Sequence, residues 1–391
     1  MMVQHSLNKR RINSNKKSTS LVSILVVAAL CILSFVVGLN FSILSSTTSS
    51  SNPSTDFVSS STSSSSSNNN NDYQLASSQS FGFFDDVSSK EWKIRQQIYS
   101  QYNKHKNPSD PLEFVPGHST RNLNYFNSPH AFYQTNYEPN FSCSFERRIG
   151  GNGNGDGPKW VCDPHRLIRI SEQRKRENSG SNRIGGGSSN TGAGCVVYSV
   201  GSNGDFQFEV GLQTMLGSYD ICEIHIFDFG DYEEKMPKGM NMHYHQWGLG
   251  GNDASKSNEK EGEEDSDRRY FFSFQETIKK LGHENRPAID ILKIDCEKCE
   301  WRTYSDWFEP SVPMIQQILV ETHNSPQQFV LNFFDGIMEK NDYVMFHKEP
   351  NIQFSNGDAI EFGFLKLEKN FFQANGGGNE EVSDLTLKYD V

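Results

Sequence analysis

Five short apolar segments follow residue 194, and several of them end at or near a glycine or an aspartate. In chain order they are CVVYSVG, EIHIFDF, NMHYHQWGL, AIDILKID and QQILVETH. Segments with the apolar spacing of helices lie among and after them, including FQFEVGLQTML and QQFVLNFFDGIMEKN, and DYVMFHKEP with AIEFGFLKL resembles a closing hairpin. Strands that alternate with helices predict a doubly wound α/β sheet, which binds ligands at the carboxyl ends of its strands.

A glycine turn follows the first apolar segment and opens a helix. It runs Gly201-Ser-Asn203-Gly204-Asp205, and glycine lets a backbone approach a ligand closely because it lacks a β-carbon. The next segment ends at Asp228, about 24 residues after Gly204, where a carboxylate is placed to accept both hydroxyls of a ribose. A tight strand-to-helix turn without a ligand explains the glycines equally well. Together with Asp228, however, they predict a site for a nucleoside cofactor.

The spacing of these glycines distinguishes between nucleoside cofactors. Dinucleotide sites use G-x-G-x-x-G and place a pyrophosphate at the helix N-terminus, whereas this chain has G-x-x-G followed by Asp205. An acid at that position would repel a phosphate. S-adenosylmethionine has no phosphate and carries positive charge on its sulfonium and amine. The turn therefore favours S-adenosylmethionine over NAD.

Residues 21–44 contain no charged side chain. A helix of about 24 residues at 1.5 Å per residue is long enough to cross a hydrocarbon core of about 30 Å, although a long signal peptide is an alternative. Five Lys and Arg residues precede the segment, and none follows it before Lys90. The positive-inside rule then predicts a type II single-pass membrane protein, with its C-terminal part in the lumen of the Golgi or endoplasmic reticulum.

Composition divides the rest of the chain. Ser, Thr and Asn dominate the sequence after the apolar segment, and such a stretch buries too little apolar surface to fold. The net charge of −11 argues against a nucleic-acid partner. The predicted divisions are a cytosolic tail 1–20, a transmembrane signal anchor 21–44, a disordered stem 45–89, an N-terminal extension with Gly-rich loops 90–194, a catalytic domain 195–370 and a tail 371–391.

Several motifs between residues 140 and 368 resemble those of one known family. In order they are KWVCDPHR, CVVYSVGSNGDFQFE, CEIHIFDFGDY, HYHQWGLGG, DILKIDCEKCEW, ILVETH and IEFGFLK. The set resembles the membrane-anchored methyltransferase-domain (methyltransferase-like) family of eukaryotes, which is related to the FkbM-type sugar O-methyltransferases. The resemblance implies a class I S-adenosylmethionine-dependent methyltransferase fold, Rossmann-like with a seven-stranded sheet, and S-adenosylmethionine as cofactor.

The same resemblance assigns roles to individual residues. Gly201, Asn203 and Gly204 would line the methyl donor, Asp228 would hold its ribose, and Asp295 would face the methionine moiety or the acceptor. The glycine turn adds Asp205 to the cofactor-binding set.

The sequence departs from the family pattern at two positions. Ser199 stands where many class I enzymes carry an acid, and Lys298 stands where relatives usually have glycine.

Four polar residues are expected to converge at the ends of adjacent strands: Asp295, Glu297, Glu321 and His323. Methyl transfer to a hydroxyl needs an aligned nucleophile and often a base. We assign His323 as the base because its ordinary pKa of about 6.5 suits proton transfer near neutrality, with Asp295 and Glu297 as further catalytic residues. A histidine that satisfies a local hydrogen bond is the alternative. The four side chains would also suit a divalent cation, although we assign no metal ligand.

The six cysteines after the apolar segment suggest three pairs. Cys195 and Cys222 each lie six residues before the end of their strands, so they would lie side by side if the strands are neighbours in register. The other predicted pairs are Cys143–Cys162 and, as a local disulfide or structural thiol pair, Cys296–Cys299. The Asn140-Phe-Ser sequon would be a glycosylation site only if the chain is exported.

The predicted function is S-adenosylmethionine-dependent O-methylation of a glycan or of another secretory-pathway acceptor such as a protein or lipid. A lumenal glycosyltransferase has the same anchor and stem, and 228-DFGD-231 and 295-DCE-297 are loose versions of its metal-binding D-x-D motif. A catalytically inactive binding domain with a methyltransferase fold is the third possibility.

Overall fold

The computed structural model describes residues 72–104, 128–151, 157–180, 194–251, 270–323 and 327–373. The predicted tail 1–20, anchor 21–44 and most of the stem lie outside these ranges. Among the described residues, no helix has both the length and the apolarity that a membrane span requires.

Eleven strands and ten α-helices are found in this part of the chain. The strands are β1 Glu146–Ile149, β2 Lys159–Cys162, β3 Cys195–Val200, β4 Cys222–Phe227, β5 Met242–His245, β6 Gly248–Leu249, β7 Phe271–Phe272, β8 Ala288–Ile294, β9 Met314–His323, β10 Tyr343–Pro350 and β11 Ala359–Lys366. The helices are α1 Gln74–Gln79, α2 Ser89–Lys104, α3 Pro129–Thr135, α4 Arg166–Gly180, α5 Gln207–Leu216, α6 Phe274–Leu281, α7 Glu300–Thr303, α8 Gln327–Phe334, α9 Ile352–Ser355 and α10 Lys369–Phe372.

Seven of the strands form one sheet in the order β10–β11–β9–β8–β3–β4–β5. Strand β11 runs antiparallel to both of its neighbours, and the other pairs are parallel. The chain order reverses at β3, the fifth strand of this order, and such a point brings loops from both halves together at the carboxyl edge. The α/β class and the seven-stranded sheet expected from the sequence are confirmed.

Both faces of the central strands are buried. Val196 and Tyr198 pack in a cluster with Trp301, whereas Val197, on the opposite face of β3, packs in a second cluster with Leu212. Strands covered on both faces need continuous apolar runs rather than alternating ones. That requirement explains why the central segments were recognisable in the sequence.

The N-terminal boundary of the folded part differs from the prediction. Residues 74–89 were assigned to the disordered stem, but Phe83 and Phe84 are fully buried. Trp92 donates from Nε1 to Oε1 of Gln79 at 2.7 Å, and its ring lies 5.4 Å from that of Phe371. A few aromatic residues therefore supply enough apolar contact to fold a segment whose average composition is polar. The average composition does not show them.

The cysteine predictions are confirmed by three disulfides, which join Cys143 to Cys162, Cys195 to Cys222 and Cys296 to Cys299. Cys195 and Cys222 are direct partners in the parallel pairing of β3 with β4, as the equal spacing indicated.

The sequon at Asn140 does not suit a glycan in this fold. The Asn140 side chain is buried, and its Oδ1 accepts a hydrogen bond from the backbone amide of Met345 at 2.9 Å. A branched sugar has no room at a residue packed against a strand.

Candidate active site

A cavity of about 410 Å³ opens at the carboxyl ends of β3, β4 and β8. Five of the six predicted cofactor-binding residues line it, and Glu297 does so as well. Gly204 is the exception. The ring of Tyr232 covers it, and a β-carbon at Gly204 would lie 3.0 Å from Cδ1 of that ring. The full lining is Gly157, Val200, Gly201, Ser202, Asn203, Asp205, Phe208, Phe227, Asp228, Phe229, Tyr232, Gly248, Leu249, Phe271, Lys293, Asp295, Cys296, Glu297 and Cys299.

Gly201 is required by the neighbouring strand. Its φ is +76°, and a β-carbon there would lie 1.7 Å from the carbonyl oxygen of Asp295. Its backbone amide donates to the carbonyl of Phe227 at 2.9 Å. The absence of a β-carbon at Gly201 therefore allows the turn to lie close to the residue that follows β8. This contact brings the glycine turn and Asp295 to the same wall of the cavity.

Asp228 organises the glycine turn. Its Oδ2 accepts hydrogen bonds from the backbone amides of Ser202 at 2.9 Å and Asn203 at 2.7 Å, and its Oδ1 accepts one from Gly230 at 2.9 Å. From the sequence, this carboxylate is expected to hold a ribose. Backbone amides instead occupy much of its acceptor capacity, so its position is set before any ligand binds.

The two departures from the family pattern have structural counterparts. The Ser199 hydroxyl donates to Glu209, a fully buried residue of α5, so a carboxyl group lies beside Ser199. Burial raises the pKa of Glu209. Lys298 has a φ of +85°, a left-handed conformation in which glycine is less strained.

Lys159 was missed by the sequence analysis. It lies on β2, and its Nζ contacts Asp295 Oδ2 and Glu321 Oε2 at 3.0 Å and Glu361 Oε1 at 2.5 Å. Burial lowers the pKa of Lys159, but the carboxylates of Asp295, Glu361 and Glu321 outweigh it and raise that pKa well above its usual value. A lone lysine in the apolar run KWVC and a lone glutamate in AIEFGF were the available signals, because unpaired charges are rarely buried.

Asp295, Glu321 and His323 come together as predicted, at the ends of β8 and β9. His323 Nε2 lies 3.8 Å from Asp295 Oδ1, 3.9 Å from Glu321 Oε1 and 4.0 Å from Glu297 Oε2. On its other side, the backbone amide of His323 donates to Glu300 Oε1 at 2.7 Å, and its Nδ1 lies 3.2 Å from the same oxygen.

The acids around His323 alter its expected role. Burial lowers the pKa of His323, but Glu300, Glu321 and Asp295 outweigh it and raise the pKa to about 9. A group with that pKa holds its proton at neutrality. The reason for which His323 was chosen as the base, an ordinary pKa near 6.5, therefore does not apply in this arrangement.

A second cavity of about 270 Å³ adjoins this cluster. Glu297 lines both cavities, which makes it the residue that links them. The second cavity is mainly polar and is lined by Glu297, Glu321, His323, Asn351, Phe354, Ser355, Asp358 and Ala359. Two linked cavities can place two ligands side by side.

Two solved structures show low similarity to the chain. One is a candidate RNA methyltransferase from Pyrococcus horikoshii, with 13% identity, coverage of 44% of this chain and 75% of that protein, and a TM-score of 0.26. The other is protein 1320 of Thermoplasma acidophilum, with 13% identity, coverage of 56% and 90%, and a TM-score of 0.22. No curated protein sequence matches the chain. The model of a family described as "Methyltransferase domain" matches residues 74–366, most of the 391 residues, and the chain therefore belongs to that methyltransferase-domain family.

Proposed function

We propose that the chain is an S-adenosylmethionine-dependent O-methyltransferase. The observation that carries the proposal is the 410 Å³ cavity with its acidic lining. Its volume falls in the range of about 300–1,000 Å³ typical of small-molecule sites. Four acids line it against a single ammonium group, that of Lys293: Asp205, Asp228, Asp295 and Glu297. This balance suits a cationic donor without phosphate better than a nucleotide.

The residues around the two cavities have distinct parts in this proposal. When bound, S-adenosylmethionine would supply a methyl group attached to a positively charged sulfur. The acceptor oxygen would form a bond to the methyl carbon, and the electron pair of the carbon–sulfur bond would stay on sulfur. Asp228 holds the turn that receives the donor. Asp295, from the first cavity, and His323, from the second, orient the acceptor hydroxyl. Glu297 takes the hydroxyl proton, because it is the residue that lines both cavities.

The acceptor that we propose is a glycan hydroxyl in the secretory pathway. The polar second cavity supports a hydroxylated acceptor. The apolar segment 21–44 supports a membrane anchor with the domain in the lumen. The three disulfides favour the same side of the membrane, because disulfides persist in oxidising compartments.

Calorimetric titration of the full-length chain tests the donor. We expect S-adenosylmethionine to bind and Asp228→Ala to weaken the binding at least about tenfold, equivalent to about 1.4 kcal/mol. Asp231→Ala is the matched control, because Asp231 is an exposed acid of the same loop. Binding of a nucleotide sugar in place of S-adenosylmethionine, or of neither, would overturn the proposal.

Transfer of a labelled methyl group tests the acceptor. Secretory glycoproteins and lipids incubated with the chain and methyl-labelled S-adenosylmethionine should gain label that glycosidases release. Glu297→Gln should bind the donor normally and lower the rate about a hundredfold, the usual contribution of a positioned base. Label that stays with the deglycosylated protein or the lipid contradicts a glycan acceptor.

Protease protection in sealed microsomes tests the topology. The proposal expects an epitope at the N-terminus to be digested and an epitope at the C-terminus to be protected. Digestion of both epitopes would contradict a lumenal domain.

A further inference from the structure

We propose that Asp295, Glu321 and His323 form a binding site for a divalent metal cation. One ligand atom from each residue lies within 4.8 Å of those from the other two. Ligands bound at about 2.1 Å from one metal ion lie about 3–4 Å apart, so small side-chain rotations are enough to close the site. This extends the proposed function, which assigns no metal to the reaction.

The three ligand atoms are already oriented by their other contacts. Lys159 binds Oδ2 of Asp295 and Oε2 of Glu321, so each carboxylate turns its second oxygen toward His323. Glu300 Oε1 lies at hydrogen-bond distance from Nδ1 of the His323 ring, which places Nε2 on the side of the carboxylates. A carboxylate on the far nitrogen of a metal-binding histidine is a recurrent arrangement, because it sets the ring orientation and the tautomer.

The His323 ring presents Nε2 to the second cavity, where a metal ion would take the place of the proton on that nitrogen. The residue is 8% exposed, and Nε2 makes no hydrogen bond among the residues that the structure describes; its neighbours there are carboxylate oxygens 3.8–4.0 Å away. Asn351 Nδ2 donates to Glu321 Oε1 at 3.0 Å, which leaves that oxygen one further lone pair. A ring nitrogen that lines a cavity and faces two carboxylate oxygens is placed to share a ligand with them.

The donor set indicates the class of metal. Two carboxylates favour Mg²⁺ or Mn²⁺, whereas an imidazole favours first-row transition metals, so Mn²⁺ satisfies both preferences. In this position the cation would bind the oxygen of the acceptor hydroxyl beside Glu297 and lower its pKa. That role rests on the proposed methyl transfer, but the binding of the cation does not.

A second cluster offers a control. Glu223, His225 and His283 also lie close enough to share an ion, but the guanidinium of Arg286 contacts Glu223 there. Lys159 contacts two of the proposed ligands in the same way, so the difference between the clusters is access: none of Glu223, His225 and His283 lines either of the two cavities.

Electron paramagnetic resonance of added Mn²⁺ tests the site on the full-length chain without a polyhistidine tag. We expect one bound Mn²⁺ per chain, with a nitrogen coupling from one imidazole in the wild-type protein. His323→Gln should abolish the coupling and weaken binding at least tenfold, whereas His283→Gln should change neither.

Three results would overturn the metal site: no bound Mn²⁺, bound Mn²⁺ without nitrogen coupling, or loss of binding in His283→Gln but not in His323→Gln. The nitrogen coupling is measured on the wild-type protein, so the test stands even if His323→Gln does not fold. Mn²⁺ binding without S-adenosylmethionine binding would retain this site and reject the proposed function.

Discussion

The ammonium group of Lys159 lies 3.0 Å from Oδ2 of Asp295, although 136 positions separate the two residues in the chain. Lys159 belongs to β2, within the segment predicted as an N-terminal extension, and Asp295 follows β8 of the central sheet. Glu321 and Glu361 bind the same ammonium group. The extension therefore supplies part of the site and is not an appendage of the catalytic domain.

Replacing Lys159 with methionine should destabilise the chain strongly. The variant keeps a side chain of similar length but leaves three carboxylates without their shared cation. Breaking a buried ion pair from one side costs about 3–5 kcal/mol. The measurement is the free energy of unfolding in urea, with Lys175→Met as the control because Lys175 lies on the surface of α4. The added substitution Glu361→Gln should restore part of the loss, and an unfolding free energy within 1 kcal/mol of wild type would contradict the assigned role.

Gly201→Ala and Gly217→Ala should differ in effect although both glycines have a φ of +76°. Gly217 ends α5, and a β-carbon there meets nothing within 4 Å, so only the left-handed backbone is penalised, by about 1–2 kcal/mol. At Gly201 the β-carbon would also overlap the carbonyl of Asp295, so β3 and β8 must separate. We expect a loss above about 3 kcal/mol in urea unfolding. Equal losses in the two variants would show that the close approach is not required.

Removing the Cys195–Cys222 disulfide should cost more than removing the Cys296–Cys299 disulfide. The first closes a loop with a sequence separation of 27, and the second one with a separation of 3. Loop entropy in the unfolded chain predicts about 3–4 kcal/mol for the longer loop and about 2 kcal/mol for the shorter. Paired Cys-to-Ala variants compared by urea unfolding measure the difference. The reverse order would indicate that strain in the folded state outweighs loop entropy.

Acidification should destabilise the fold through the buried His283 and the half-buried His245, which lie near β4 and β5. Burial, with Arg286 and His225 nearby, lowers the pKa of His283 from 6.5 to about 4, and burial with neighbouring histidines lowers that of His245 to about 3. Above pH 6.5 both histidines are neutral in the folded and in the unfolded chain, so they cost the fold no stability. Between pH 6.5 and 4 the unfolded chain binds protons that the folded chain does not, so the free energy of unfolding decreases, by at most about 1.4 kcal/mol per pH unit for each group.

His283→Gln tests this prediction, because it removes one titrating group. Its unfolding free energy should fall less between pH 7.5 and pH 5 than that of the wild type. Tyr198→Phe removes the hydroxyl that lies 2.7 Å from His283 Nδ1 but keeps the histidine, so it should retain most of the pH dependence. An unchanged slope in His283→Gln would exclude His283 as a source.

The features predictable from sequence were those set by local patterns. Continuous apolar runs identify strands buried on both faces, and Gly201 and Asp228 follow from the way such strands end. Equal spacing before those ends was enough to pair Cys195 with Cys222, because parallel neighbours in register place equivalent positions side by side.

The sequence by itself thus determined the α/β class, the residues at the carboxyl edge of the sheet and which cysteines lie together, and the family resemblance added the number of strands. Only the tertiary structure decided that Lys159 and Glu361 join the site, that residues 74–89 are folded, and that His323 lies among acids that raise its pKa. The reason is physical: a pKa, a buried ion pair and an aromatic contact depend on groups brought near by folding, often from more than a hundred positions away.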